Sequence, residues 1–207
     1  MKKKNLITTV ASVAMVGVIA VGSTLAYLSA NDTELTNHFQ FANNIGVDVY
    51  EYNVAEPTES DVANQSGFTY DNLVTGQEVI KNVDVDLTTT VNTTLYVLVD
   101  VGTGANAMEL DETQITVNGW EQVTITDEGK VLYKRAVTGD AEDKSFDVFE
   151  TVKVPQVEGI TGSTTSQTVT LNDIKIDVFA IQSDNLPNTT TADKEAANAL
   201  GVNLPQV

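Results

Sequence analysis

The sequence contains no cysteine. A disulfide framework, a thiol nucleophile and a cysteine-held metal are thereby excluded, so packing of an apolar core must hold the fold. Histidine is almost as scarce, with His38 the only one. A zincin needs two histidines one helical turn apart with a glutamate between them, and a catalytic zinc takes three protein ligands rich in histidine. His38 alone supplies neither; set in a strand-like stretch, it reads as a partly exposed strand residue. Bases are few as well: 11 Lys and Arg stand against 29 Asp and Glu, a formal charge of −18. Such a surface repels phosphate backbones, which argues against a nucleic-acid partner and suits a soluble secreted protein. No Walker loop, G-x-G-x-x-G or G-x-S-x-G occurs, and no second base accompanies a serine, so no nucleotide site or serine triad is expected.

Acid pairs such as Glu142 and Asp143 are what chance gives among 29 acids, and a surface role is expected for them. Asp140-Ala141-Glu142-Asp143, with Asp147 nearby, is the densest acidic loop. It lacks EF-hand spacing, which leaves only an irregular Ca²⁺ site open there. No other cofactor is expected. Trp120, the only tryptophan, is expected at a sheet edge or core margin.

What the chain does have begins at its N-terminus. Met1 to Asn5 is short and basic, Leu6 to Val21 is apolar, and Thr24-Leu25-Ala26 places small residues at −3 and −1 of a cut. That is the three-part layout of a secretory signal peptide. The competing reading, an uncleaved anchor, wants about 20 predominantly apolar residues, and this run falls short. Cleavage between Ala26 and Tyr27 is therefore favoured, with residues 1–26 the signal peptide and the only membrane-directed segment. Lys2, Lys3 and Lys4 are the only bases it removes and it holds no acid, so 29 acids would face 8 bases, formally −21.

Hydrophobic residues make up 42% of the chain, enough for a real core in a single domain. Beyond Phe41 the dominant period is two. Ile45, Val47 and Val49 alternate with polar or small neighbours, and so do Val79, Val83, Val85 and Leu87, with Lys81 intruding. Leu95 to Val101 is apolar on both faces and is expected to be central. Shorter strands are expected at Gln114–Val117, Glu121–Thr126, Val131–Val137 and Phe146–Val154. From Thr168 to Ile181 the apolar phase slips by one residue, which predicts a bulge or bend near Asn172–Asp173. Gly-containing turns separate these runs, among them Val74–Gln77, Gly102–Gly104, Asn118-Gly119 and Asp127–Gly129. Roughly eight strands at this spacing predict an all-β antiparallel sandwich or jelly roll. One short helix, Ala192 to Leu200, is predicted after a Thr190-Thr191-Ala192-Asp193 capping box, and it must dock on the strands to persist.

The segment KKKNLITTVASVAMVGVIAVGSTLAYLSANDTE resembles the special signal peptides of the TasA/camelysin family, processed by a SipW-type peptidase. Gly22, Thr24, Ala26, Tyr27, Leu28, Asn31 and Asp32 carry that likeness. In the body, Asn37-His38-Phe39 with Asn44–Val49, Leu73–Val83, Leu95–Val101, Leu132–Lys134, Phe149–Pro155 and Ala180–Asp184 are similar to successive family elements. Two stretches depart from the pattern: Thr90-Val91-Asn92-Thr93 replaces the usual N-T-G, and the tail after Leu186 is short. The resemblance implies a jelly-roll β-sandwich over residues 42–186, with a tail and short helix at 187–207. It implies a secreted protein of the cell surface or Gram-positive biofilm matrix whose partners are copies of itself and other matrix proteins. Fibre formation by strand donation is implied with it, and the candidate donor is the N-terminal extended segment 27–41, with Leu35, Phe39 and Phe41 at alternating positions. Camelysin-like members are classed as metallo-endopeptidases, which leaves a surface protease as one alternative, although the histidine count does not support it. A monomeric sandwich binding polysaccharide or matrix protein is the other.

Overall fold

The computed structural model describes residues 29–32, 45–54, 65, 67–140, 144–156, 169–184, 186 and 189–206. Alternating sequence becomes strand through most of this chain. In order come β1 (Ser29–Asp32), β2 (Gly46–Tyr52), β3 (Glu78–Thr88), β4 (Thr93–Asp100), α1 (Thr113–Val117), β5 (Glu121–Val123), β6 (Lys130–Val137), β7 (Ser145–Lys153), β8 (Lys175–Gln182) and α2 (Thr189–Leu200). The strands form two antiparallel sheets, ordered β1-β8-β4-β6-β5 and β2-β3-β7. The protein is all-β with few helices.

One core joins the two sheets. Val47, Val79, Val83, Val85 and Leu87 of β2 and β3 meet Leu95, Val97 and Val99 of β4 and Val178 and Ala180 of β8. The other face of the five-stranded sheet is apolar too. Tyr96, Leu98, Leu132, Phe179 and Ile181 lie under α2, which presents Ala192, Ala196, Ala197 and Leu200. Those four positions recur at helical spacing, so one stripe of a short helix docks while its polar stripe stays in solvent. β4 is therefore buried on both faces, as its unbroken apolar run predicts.

The helix begins at Thr189, three residues earlier than predicted, and the Asp193 carboxylate faces the sheet. It accepts from the Tyr96 hydroxyl at 2.8 Å and from Lys134 Nζ at 3.1 Å. A polar clamp thus fixes the helix at its N-terminal end, where its apolar stripe is thinnest.

Two expectations are corrected. Gln114–Val117 is not a strand: Thr113–Val117 is a helix with Ile115 buried. Glycine explains its end. Gly119 has φ +88°, and the Gly119 and Trp120 amides donate back to Thr116 and Ile115, the Schellman pattern. The second correction concerns Asn172–Asp173, where no bulge forms. β8 starts only at Lys175, and Asn172 leaves the sheet to bond Asn106 and Thr103. The phase slip marks the end of a strand. The register irregularity lies in β3 against β7 instead, on both sides of Val83.

Candidate functional site

A strand that ends a sheet leaves a row of amide and carbonyl groups open to pairing with another chain. β8 has this position in the five-stranded sheet, and β1 covers it. Ser29 stands opposite Ile181, Ala30 opposite Ala180, Asn31 opposite Phe179 and Asp32 opposite Val178. On its other side β8 pairs with β4 along its whole length, from Lys175 with Asp100 to Gln182 with Thr93. Among the described residues, β1 pairs with Val178 to Ile181 of β8, and β4 pairs with β8 from Lys175 to Gln182.

The covered part of β8 is its most buried part. Val178, Phe179, Ala180 and Ile181 are all at most 2% exposed, facing alternately the shared core and the layer under α2. Both faces are therefore filled by packing, and the backbone edge is the one polar feature left for a partner. Ordering a residue costs about 1–2 kcal/mol in backbone entropy, while each hydrogen bond contributes about 0.5–1.5 kcal/mol net. Among the described residues β1 is paired on one side only, so it gains fewer such bonds per ordered residue than the interior strands.

The sheet edge across the molecule is closed differently. Side chains from α1 and the turn after it take up the outer backbone groups of β7. Trp120 Nε1 donates to the Asp147 carbonyl at 2.8 Å, Asn118 Nδ2 to Val148 at 3.3 Å and Gln114 Nε2 to Thr151 at 3.1 Å. Trp120 is thus at a sheet edge, as expected, and at 3% exposure its ring belongs to the core rather than to a sugar-stacking surface.

A buried ion pair was signalled by Lys81 in the alternating pattern. Its Nζ lies 2.5 Å from Glu51 Oε2, and Tyr70 donates its hydroxyl to Glu51 Oε1 at 2.7 Å. These groups line a groove of about 1310 Å³ together with Val152, Leu171 and Ile176. Burial, then the hydrogen bond and charge of Glu51, push the Tyr70 phenol well above its ordinary pKa, so it stays protonated and offers no general base. The sequence signal was present: Glu51 and Lys81 both occupy inward positions on adjacent strands.

The sequence-derived site residues fare as follows. Ala26 and Tyr27 of the cleavage junction, the donor positions Leu35, Phe39 and Phe41, and His38 lie outside the described residues. So do Glu142 and Asp143, while Asp140 is exposed and Asp147 turns to β3, where it stands opposite Asp84. Among the described residues no group of three or more His, Cys, Asp or Glu is arranged to hold a metal ion. The closed β7 edge and the β1 cover were both missed by sequence reasoning, because each depends on a tertiary neighbour. No protein-family model, no curated protein and no solved structure matches the chain.

Proposed function

We propose that the protein is a secreted structural component of the cell surface or biofilm matrix, assembling into fibres by donation of its N-terminal strand. The observation that carries the reading is the pairing of β1 with β8: a strand close to the N-terminus adds to the β8 side of the five-stranded sheet through main-chain groups. The same backbone groups accept the same segment from a neighbouring copy, since strand addition is read through main-chain bonds. Donation in trans, with Leu35, Phe39 and Phe41 in the added strand, places the same segment on the β8 edge of a neighbour. The role is structural, not catalytic, and its partners are further copies of the chain and other matrix proteins.

The signal-peptide layout, with SipW-type cleavage after Ala26, supports export and supplies a free N-terminus at Tyr27. Membership of the TasA/camelysin family belongs to this proposal, as does the finer description of the fold as a jelly roll. Its support is the pairing of the first strand with the last and the crossings of the chain between sheets at β1–β2, β3–β4, β6–β7 and β7–β8. The test is deletion of Tyr27–Asn37 from the mature chain, with electron microscopy and size-exclusion chromatography. Fibres are expected from the intact chain and none from the deletion. Equal fibre formation by both refutes donation by this segment.

A further inference from the structure

The outer edge of β7 is the one long edge of the three-stranded sheet beyond β2, and its backbone groups are bonded one after another by non-strand partners. The Trp120, Asn118 and Gln114 side chains take the Asp147, Val148 and Thr151 carbonyls. Gln114 Oε1 accepts from the Glu150 and Thr151 amides, both at 3.1 Å. Glu109 closes the end, exchanging amide and carbonyl with Lys153 at 2.9 Å in each direction. Side-chain amides, an indole and one backbone bridge thus stand in for a neighbouring strand.

The other side of the same segment is fastened to the five-stranded sheet. Glu112 Oε2 accepts from the Tyr133 hydroxyl of β6 at 2.7 Å and from Gln122 Nε2 of β5 at 3.2 Å, and Arg135 of β6 donates to the Asn118 carbonyl at 2.5 Å. Ile115, fully buried, pins the helix to the core. The segment Glu109–Trp120 therefore spans the gap between β5 and β7 and is held from both sheets.

We propose that this segment is an edge guard: it conceals on β7 a pairing surface for a second copy of the chain. Unguarded, β7 presents a nine-residue strand that includes Val148, Phe149 and Val152, the kind of edge that self-pairs. Proteins commonly blunt such edges with charge, proline or bulges; here Gln114 and Asn118 occupy the pairing groups themselves. Side-chain amides suit the task because each has a donor and an acceptor, as a peptide group does. The consequence for fibres, that subunits join only through the β1–β8 side, rests on the donation reading; the guard itself does not.

The absence of native cysteine makes the test clean. Glu150, exposed on β7, is changed to cysteine (Glu150→Cys) in the full mature chain, with and without Gln114→Ala/Asn118→Ala. A short bis-maleimide then reports β7 edges that meet. Dimer cross-linking is expected to be about tenfold greater without the guard side chains, and exchange of the Thr151 amide to quicken by a similar factor. Rapid exchange with unchanged cross-linking overturns the proposal, because the edge is then open and still does not pair. Equal cross-linking and equal exchange overturn it too, since the side chains then protect nothing. Gln114→Met, which keeps about the same size but neither donates to the Thr151 carbonyl nor accepts from the Glu150 and Thr151 amides, gives the same readout if the double variant fails to fold. Fibre loss on deletion of Tyr27–Asn37 is a separate measurement, so either reading can fail alone.

Discussion

Asp84 and Asp147 stand directly opposite each other across β3 and β7, two carboxyl groups on one rung of the sheet. One oxygen of Asp84, Oδ1, is buried without a hydrogen-bond partner among the described residues. Burial first, then the charge of Asp147, push the Asp84 pKa up to about 6, with Asp86 and Glu150 adding to it. The folded chain binds this proton more tightly than the unfolded one. Its cost is therefore full above pH 6 and fades as pH falls toward the ordinary 3.8. Asp84→Asn should stabilise the protein at pH 7.5 by about 1 kcal/mol, a figure discounted because solvent reaches the carboxyl, and should change nothing at pH 4. Urea midpoints at the two pH values check this; a variant no more stable than the parent at pH 7.5 removes the repulsion argument.

The Glu51–Lys81 pair makes a prediction of opposite sense. Both side chains are less than 10% exposed, and their ends are 2.5 Å apart. Lys81→Met leaves Glu51 buried without its ion-pair partner, with the Tyr70 hydroxyl still donating to it, and should cost about 3–5 kcal/mol. Lys81→Met with Glu51→Leu removes both charges and should cost less than either single change. Chemical denaturation of the four proteins gives the cycle directly. Additive losses would mean that the two groups do not act as a pair.

The docking of α2 is testable through Asp193, which takes hydrogen bonds from Tyr96 and Lys134. Asp193→Ala removes both and leaves the buried Tyr96 hydroxyl without this acceptor, at a cost of about 2 kcal/mol. Asp193→Asn keeps an acceptor for Tyr96 and gives up the charge toward Lys134, so it should cost roughly half as much. If the losses match, the charge matters and the hydroxyl does not. Limited proteolysis near Gly201 should rise in the same order.

The sequence reveals the layers better than it reveals the edges. Leu95 to Val99 alternates two apolar faces, which is enough to place β4 in the middle and to demand cover on both sides. Ala192, Ala196, Ala197 and Leu200 give the stripe that supplies one cover. Gln114-Ile115-Thr116-Val117 misleads because β-branched residues at period two suit a strand, and five residues have little helical tendency of their own. What makes them helical lies elsewhere in the chain: the β7 groups that Gln114 and Asn118 meet, and the pocket that takes Ile115. The pairing of β1 with β8 was equally illegible. Ser29-Ala30-Asn31-Asp32 has no strand pattern, and its conformation is supplied by the backbone edge beside it.

Gly119 links local geometry to the guarded edge. At φ +88° it turns the chain sharply after α1, and Trp120 then reaches the Asp147 carbonyl. An L side chain resists this left-handed conformation by about 1–2 kcal/mol, and asparagine resists it less than alanine does. An alanine Cβ there would also touch Arg135 Nη1 at 3.4 Å, a group already holding the Asn118 carbonyl. Gly119→Ala should therefore lower stability by about 1–2 kcal/mol, and Gly119→Asn by less. Because Trp120 is the sole tryptophan and is buried, its fluorescence follows the same turn. Emission should shift to the red in Gly119→Ala before global unfolding, reporting an indole drawn away from β7. Equal destabilisation by alanine and asparagine, with unchanged emission, would show that the left-handed turn does not hold Trp120 in place.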